Sequence, residues 1–242
     1  MEKLEKFQLF AACSIIALGI FASSLVVANR ISSKDENITV TGSASKIVKS
    51  DSAKVRIDLS AREATQKMAY SVLKNQTPVV IKYLEDKGID KKDINTRTIN
   101  GYFNYKTNPN GYSTNEVSSY SATQGIEVTS KDVQKIKEIS TDIQSLVDKG
   151  IDLSVDAPEY YYSDLASIKV ELLKDAATDA KNRAKSMLSA ANSHVGKVKS
   201  MKMGVFQITA PDSTNVADYG INDTSTIDKK VTAVANVVFK VR

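Results

Sequence analysis

Acid–base or nucleophilic chemistry needs a base within reach of a nucleophile, and this chain offers few bases. His194 is the only histidine, Cys13 the only cysteine, and tryptophan is absent. His194 lies in Ala191-Asn192-Ser193-His194-Val195-Gly196, which reads as a helix end followed by a turn. A cation is favourable there because the carbonyl end of the helix dipole is negative. No nucleophile or orienting acid can be assigned to it, so its expected role is local and not catalytic. Asp212, Asp218, Asp223 and Asp228 cluster in a polar stretch. They lack the alternating ligands, central glycine and terminal glutamate of a calcium loop, so solvated turns are expected. No Cys/His zinc cluster, phosphate-cradling glycine loop or G-x-S-x-G elbow is present in the sequence. The expectation is no catalytic residue, no cofactor and no metal.

The remaining candidates are contact residues. Tyr160-Tyr161-Tyr162 is the densest aromatic run; on a strand, Tyr160 and Tyr162 would face one way and Tyr161 the other. Packing with hydroxyls reaching water is the simple reading, and an interface edge is the alternative, because tyrosine is enriched at interfaces. Residues 207–230 form a long polar connection that keeps Ile208, Val216, Tyr219, Ile221 and Ile227. A disordered linker would seldom place apolar residues so regularly. The connection is expected to fold over the domain or onto a neighbouring subunit, with Tyr219 and Ile221 as anchors and Gly220 as the bend. A Ser/Asp- or Tyr-based enzyme site there would require Tyr219, Asn222 and Asp223 to share a pocket with a perturbed base.

The elements that must carry these residues are legible from periodicity. Strands are expected over 38–48, 53–61, 94–105, 117–129, 151–162, 197–206 and 231–241. The clearest is 53–61, where Val55, Ile57, Leu59 and Ala61 alternate with Lys54, Arg56, Asp58 and Ser60. Residues 106–116 read as a hairpin tip. Helices are expected over 65–87, 131–149 and 164–192. Pro78 should kink or break the first near Thr77. Val133, Ile136, Ile139, Ile143, Leu146 and Val147 should face inward on the second. On the third the stripe is Leu165, Ile168, Leu172, Ala176, Ala180, Ala184, Met187 and Ala191, with Ser163 as N-cap. Lys87-Gly88-Ile89-Asp90 and Lys149-Gly150-Ile151-Asp152 are identical, each after a helix and before a strand. Left-handed glycine caps explain the repeat, and an internal duplication would explain it too. Pro158 suits an edge or bulge. The fold class expected is α+β, with a mixed, mainly antiparallel sheet and three main helices.

Residues 7–28 are 22 uncharged residues. As a helix they would be about 33 Å long, enough for a bilayer core of about 30 Å. The organisation expected is a cytoplasmic tail (1–6), a single transmembrane anchor (7–28), a linker (29–37) and an exported domain (38–242). A cleaved signal, with Val26 and Ala28 at the −3 and −1 positions, is the alternative and would give a periplasmic or secreted form. Cys13 falls inside the apolar run and leaves the exported part without a disulfide. The net charge is +5, from 33 Lys and Arg against 28 Asp and Glu, dispersed and not striped. That pattern, and export, argue against a nucleic-acid partner.

Several stretches taken together resemble the SIMPL-domain family of bacterial exported proteins. They are Ile38-Thr39-Val40-Thr41-Gly42, Tyr120-Ser121-Ala122-Thr123-Gln124 leading into Ile126-Glu127-Val128, and Asp148-Lys149-Gly150-Ile151. The helix segment 176–184, Val205-Phe206-Gln207-Ile208-Thr209 and the run from Asp218 to Ser225 complete the set. The resemblance implies an exported α+β domain able to form ring-like homo-oligomers, with some relatives tied to oxidative stress, and no established enzymatic activity. With the apolar segment it implies a membrane-anchored envelope module that assembles or interacts. An envelope enzyme or a small-ligand receptor is the alternative.

Overall fold

The alternation at 53–61 sets the geometry around which the larger part of the chain is built. A computed structural model of the protein describes residues 36–242 together with 19–21, 23 and 24. By its contacts the chain divides into two compact units, the larger being Ser43–Ala176 with Met203–Val234. The expected anchor at 7–28, the tail at 1–6, most of the 29–37 linker and Cys13 lie outside the described residues, apart from residues 19–21, 23 and 24. No helix among the described residues is long and apolar enough to cross a membrane.

Strands β1 (Asn37–Lys49) and β2 (Ser52–Glu63) open the domain. In β2 the faces separate as the sequence requires: Ala53, Val55, Ile57, Leu59 and Ala61 are buried while the intervening residues are half-buried. Helix α1 (Gln66–Asp86) follows, then β3 (Ile94–Thr96), β4 (Asn100–Thr107) and β5 (Ser113–Ser130). Helix α2 (Val133–Asp142) leads into a 3-10 turn, Ile143–Lys149. Short strands β6 (Leu153–Val155) and β7 (Glu159–Tyr161) precede helix α3 (Leu165–Ala190). The chain closes with β8 (Val195–Met203), β9 (Gln207–Thr209), β10 (Ile221–Asn222) and β11 (Asp228–Val241).

The architecture is α+β, with the three expected helices and two sheets where one was expected. The larger unit holds a six-stranded sheet ordered β3-β5-β2-β6, with β4 also on β5 and β7 also on β2. Its core pairs the inner faces of β2 and β5 with Leu73, Val80 and Leu84 of α1 and Ile136 and Ile139 of α2. In the same unit β9 pairs antiparallel with β11 and parallel with β10. The smaller unit takes residues 36–42, Ala177–Lys202 and Ala235–Arg242. There Thr41 Oγ1 meets Asn236 Oδ1 at 2.6 Å, and the backbones of His194 and Arg242 exchange hydrogen bonds of 2.7 and 2.9 Å.

The two repeated tetrapeptides have one geometry. Gly88 and Gly150 take φ of +83° and +80°, and the amides of Ile89 and Ile151 return to Leu84 O and Leu146 O at 3.0 and 3.2 Å. Both isoleucines are buried. This is the glycine-terminated helix end in which the next apolar residue packs back on the last turn.

Several expectations are corrected. Pro78 lies inside an unbroken α1, which runs on to Asp86. Val147 points outward, because the second helix tightens to about three residues per turn and carries Ile143 and Leu146 inward instead. On α3 the buried residue after Ala184 is Leu188, not Met187, because Ile168, Leu172, Ala176, Ala180, Ala184 and Leu188 follow one another at spacings of four. Asp164 caps that helix, accepting from Ser167 N at 3.4 Å, while Ser163 donates its hydroxyl to Asp51 at 2.6 Å. The strand expected to reach residue 206 ends at Met203, and β9 and β10 lie in the stretch expected to be a connection.

Candidate functional site

Helix α1 buries Ala69, Leu73, Thr77, Val80 and Leu84, so Lys67, Tyr70, Ser71, Lys74 and Pro78 form the flank beside that stripe. Thr65 starts the helix, its side chain accepting from Met68 N at 3.3 Å. This flank is one wall of a groove of about 750 Å³, within the span of small-molecule sites. Ile99 and Gln124 form the other wall. The break between β3 and β4 places them there: Arg97 N bonds Gly125 O at 2.8 Å, and the chain then crosses to β4.

The groove floor carries a polar pair, a buried Thr77 and a half-buried Gln124. Thr77 Oγ1 lies 2.6 Å from Gln124 Oε1 and 2.8 Å from Leu73 O, and Gln124 Nε2 donates to Arg97 O at 3.0 Å. Tyr70 forms one end of the wall, its hydroxyl 3.5 Å from Ile99 O. Its ring lies 6.2 Å from that of Tyr120, which meets Phe103 edge-on at 5.1 Å. Burial, then the Tyr70 hydroxyl, raises the Tyr120 phenol above its usual range. A row of three rings thus runs from the groove to the β4–β5 hairpin.

That hairpin is the second notable surface. Tyr102, Phe103, Tyr105, Tyr112 and Val117 are all exposed on it, Tyr102 at 61% and Tyr112 at 72%. Its tip is ordered by Asn108, whose side chain accepts from the amides of Asn110 and Tyr112 at 3.0 Å, with Gly111 at φ +83°. Among the described residues β4 pairs only with β5, so its outer edge is open.

The outer face of the sheet is polar and internally matched. Glu127 Oε2 lies 2.8 Å from Arg97 Nη2 and 3.3 Å from Lys54 Nζ, and Arg56 holds Asp58 at 2.8 Å. The hydrogen bond from Arg97 outweighs desolvation and, with Lys54, lowers the Glu127 carboxyl below its ordinary range. Tyr161 donates to Glu159 at 2.6 Å, and this bond, with burial and the carboxylate charge, pushes the phenol up to about 12.

The residues expected to make contacts are separated. Tyr160 is buried in the core, and its amide donates to Thr224 O at 2.7 Å. Tyr161 faces outward on β7, and Tyr162 lies half-buried just past its end. Residues 207–230 do fold: β9 is wholly buried, Gln207 Nε2 donates to Ala217 O at 2.8 Å, and Gly220 bends the chain at φ +86°. A side chain at Gly220 would come within 2.9 Å of Phe206 O. Ile221 is half-buried opposite Gln207. Tyr219 is no anchor within the chain, being 91% exposed, because the bend at Gly220 turns it away from β9.

The pocket required for an enzyme site in the connection does not form around these residues, since Asn222 is also exposed. Asp223 instead organises a turn. Burial would raise its carboxyl, but hydrogen bonds from Ser225 and Thr226 and the charge of Lys229 leave it lowered. Burial lowers Lys229, whose ammonium donates to Asp223 O at 2.6 Å. No group of His, Cys, Asp and Glu that could hold a metal occurs among the described residues. Sequence reasoning missed the groove. Its signals were polar interruptions in two apolar patterns, Thr77 on the α1 stripe and Gln124 between Ala122 and Ile126.

The SIMPL family, described as a protein of unknown function (DUF541), matches the chain over residues 38–239. No curated protein matches it.

Proposed function

The chain belongs to the SIMPL family, and from that premise we propose that it is an envelope-anchored module that assembles with copies of itself, held to the membrane by residues 7–28. The observation that carries assembly is the β4–β5 hairpin, an open-edged ribbon bearing Tyr102, Phe103, Tyr105 and Tyr112 in solvent. An exposed, aromatic edge strand left bare is an aggregation liability, and pairing it with a second copy removes the unpaired backbone groups. The exposed Tyr219 and Val216 add a second apolar surface outside the core.

Sedimentation equilibrium of the full chain in a density-matched nonionic detergent tests assembly. The parent should sediment as a discrete oligomer and the Tyr102→Lys/Tyr105→Lys variant as a smaller species with the same circular dichroism. A parent that stays monomeric at tens of micromolar overturns the assembly role. Carbonate extraction of native membranes tests the anchor. Release of a soluble chain beginning at Asn29 overturns it.

A further inference from the structure

We propose that the groove along α1 binds a single-chain anionic amphiphile, an alkyl carboxylate in chemical class. The groove's wall is largely apolar, from the ring of Tyr70, Pro78 and Ile99. No acidic residue lines it, and two cations do, Lys67 and Lys74, two turns apart on one flank of α1. Neither makes an ion pair among the described residues, whereas most of the other lysines and arginines of the same sheet and helix are matched by carboxylates. Lys67 also stands in the first turn of a 21-residue helix whose first turn holds no acid. A cation is disfavoured at that end by the helix dipole, and an anion would be favoured by both. The floor adds polar groups that fix a headgroup or exclude a badly placed one: the Thr77 hydroxyl and the Gln124 amide, 2.6 Å apart. An apolar trough with cations on one rim and no carboxylate selects a molecule with a tail and a negative head. Its volume of about 750 Å³ suits one chain.

The test uses the full chain in phosphatidylcholine nanodiscs and a diazirine-bearing dodecanoate probe, with labelled residues mapped by mass spectrometry. Labelling should saturate and concentrate on Tyr70, Ser71, Lys74 and Ile99. Dodecanoate should compete roughly five- to tenfold better than dodecanol, the size expected of two partly exposed ion pairs. In Lys67→Gln/Lys74→Gln that preference should vanish while dodecanol competition is unchanged. Ser71→Trp, which fills the groove from an exposed helix position, should abolish labelling without altering the thermal melt. Phosphatidylglycerol added to the nanodiscs should not compete. The proposal is overturned by labelling that does not saturate or that centres on Tyr102 and Tyr112, by a dodecanoate preference surviving the double substitution, or by phosphatidylglycerol competing as well as dodecanoate.

Discussion

Gly101→Ala perturbs this fold at a tightly packed strand position. Gly101 lies on β4 opposite Ala122, where a Cβ would meet Tyr120 Oη at 2.5 Å, Tyr120 Cε1 at 2.7 Å and Ser121 O at 2.8 Å. All three are shorter than the approach that real Cβ atoms make to a neighbour, so something must shift. The Ser121 carbonyl is part of the β4–β5 ladder and cannot retreat without breaking it. Nor can the Tyr120 ring swing into solvent, since it is 4% exposed and held between Tyr70 and Phe103. Forced overpacking of this kind costs about 1–3 kcal/mol. Losing one ring–ring contact adds about 0.5–1.5 kcal/mol. A total of about 1.5–4.5 kcal/mol should lower the melting temperature by roughly 3–18 °C for a domain of this size. Urea and thermal unfolding followed by circular dichroism would read it. The second arm is Tyr120→Leu: in that background the alanine should cost less by at least about 1 kcal/mol, because the ring that blocks it is gone. A Gly101→Ala protein within about 0.5 kcal/mol of the parent would refute the packing account of the hairpin base.

Glu127 has a lowered carboxyl, so it contributes stability above the ordinary value of 4.5 and loses it as pH falls through the depressed one. Glu127→Gln should therefore be less stable than the parent at neutral pH and lose less stability between about pH 5 and pH 3, read by urea midpoints across that range. Tyr161, raised to about 12, contributes stability below the ordinary value of 10.0 that is lost as pH rises through the folded value. Glu159→Gln should bring its ¹³C-detected titration back towards 10.0, and an unmoved titration would show that the 2.6 Å hydrogen bond is not the cause. Gly220→Ala places a non-glycine residue at φ +86° and within 2.9 Å of Phe206 O, and should cost about 1–3 kcal/mol in chemical unfolding. Thr77→Val removes the hydroxyl that meets Gln124 Oε1 on the groove floor and should destabilise by about 0.5–1.5 kcal/mol in urea unfolding, the net worth of one hydrogen bond to a half-buried amide that keeps its bond to Arg97 O.

Much of the framework was readable because it depends on neighbours along the chain. The 53–61 alternation, the three helices and the two glycine caps rest on periods of two and 3.6 and on the positive φ that only a glycine takes without strain. The bend at Gly220 was legible for the same reason. Boundaries were less secure where two local rules compete. The helix expected over 131–149 splits into α and 3-10 segments at Asp142, which turned Val147 outward. Pro78, a local breaker, is overridden by the packing of Leu73, Val80 and Leu84 on both sides of it.

The sequence by itself determined which segments are strands and helices and which of their faces are apolar. It also carried the family resemblance, through the order of motifs from Ile38 to Ser225. Only the tertiary structure decided which faces meet. Gln124 reads in sequence as a flaw in an apolar strand face; 47 residues away in the chain, Thr77 reads as a flaw in a helix stripe. They become a pair because β5 lies under α1, and the groove exists because Ile99 crosses from β3 to β4 beside them. Tyr219 shows the converse: its apolar ring promised an anchor, yet the backbone bend beside it, not its own hydrophobicity, set its direction. Hydrophobicity ranks what a residue gains from burial, whereas long-range pairing decides whether burial is on offer.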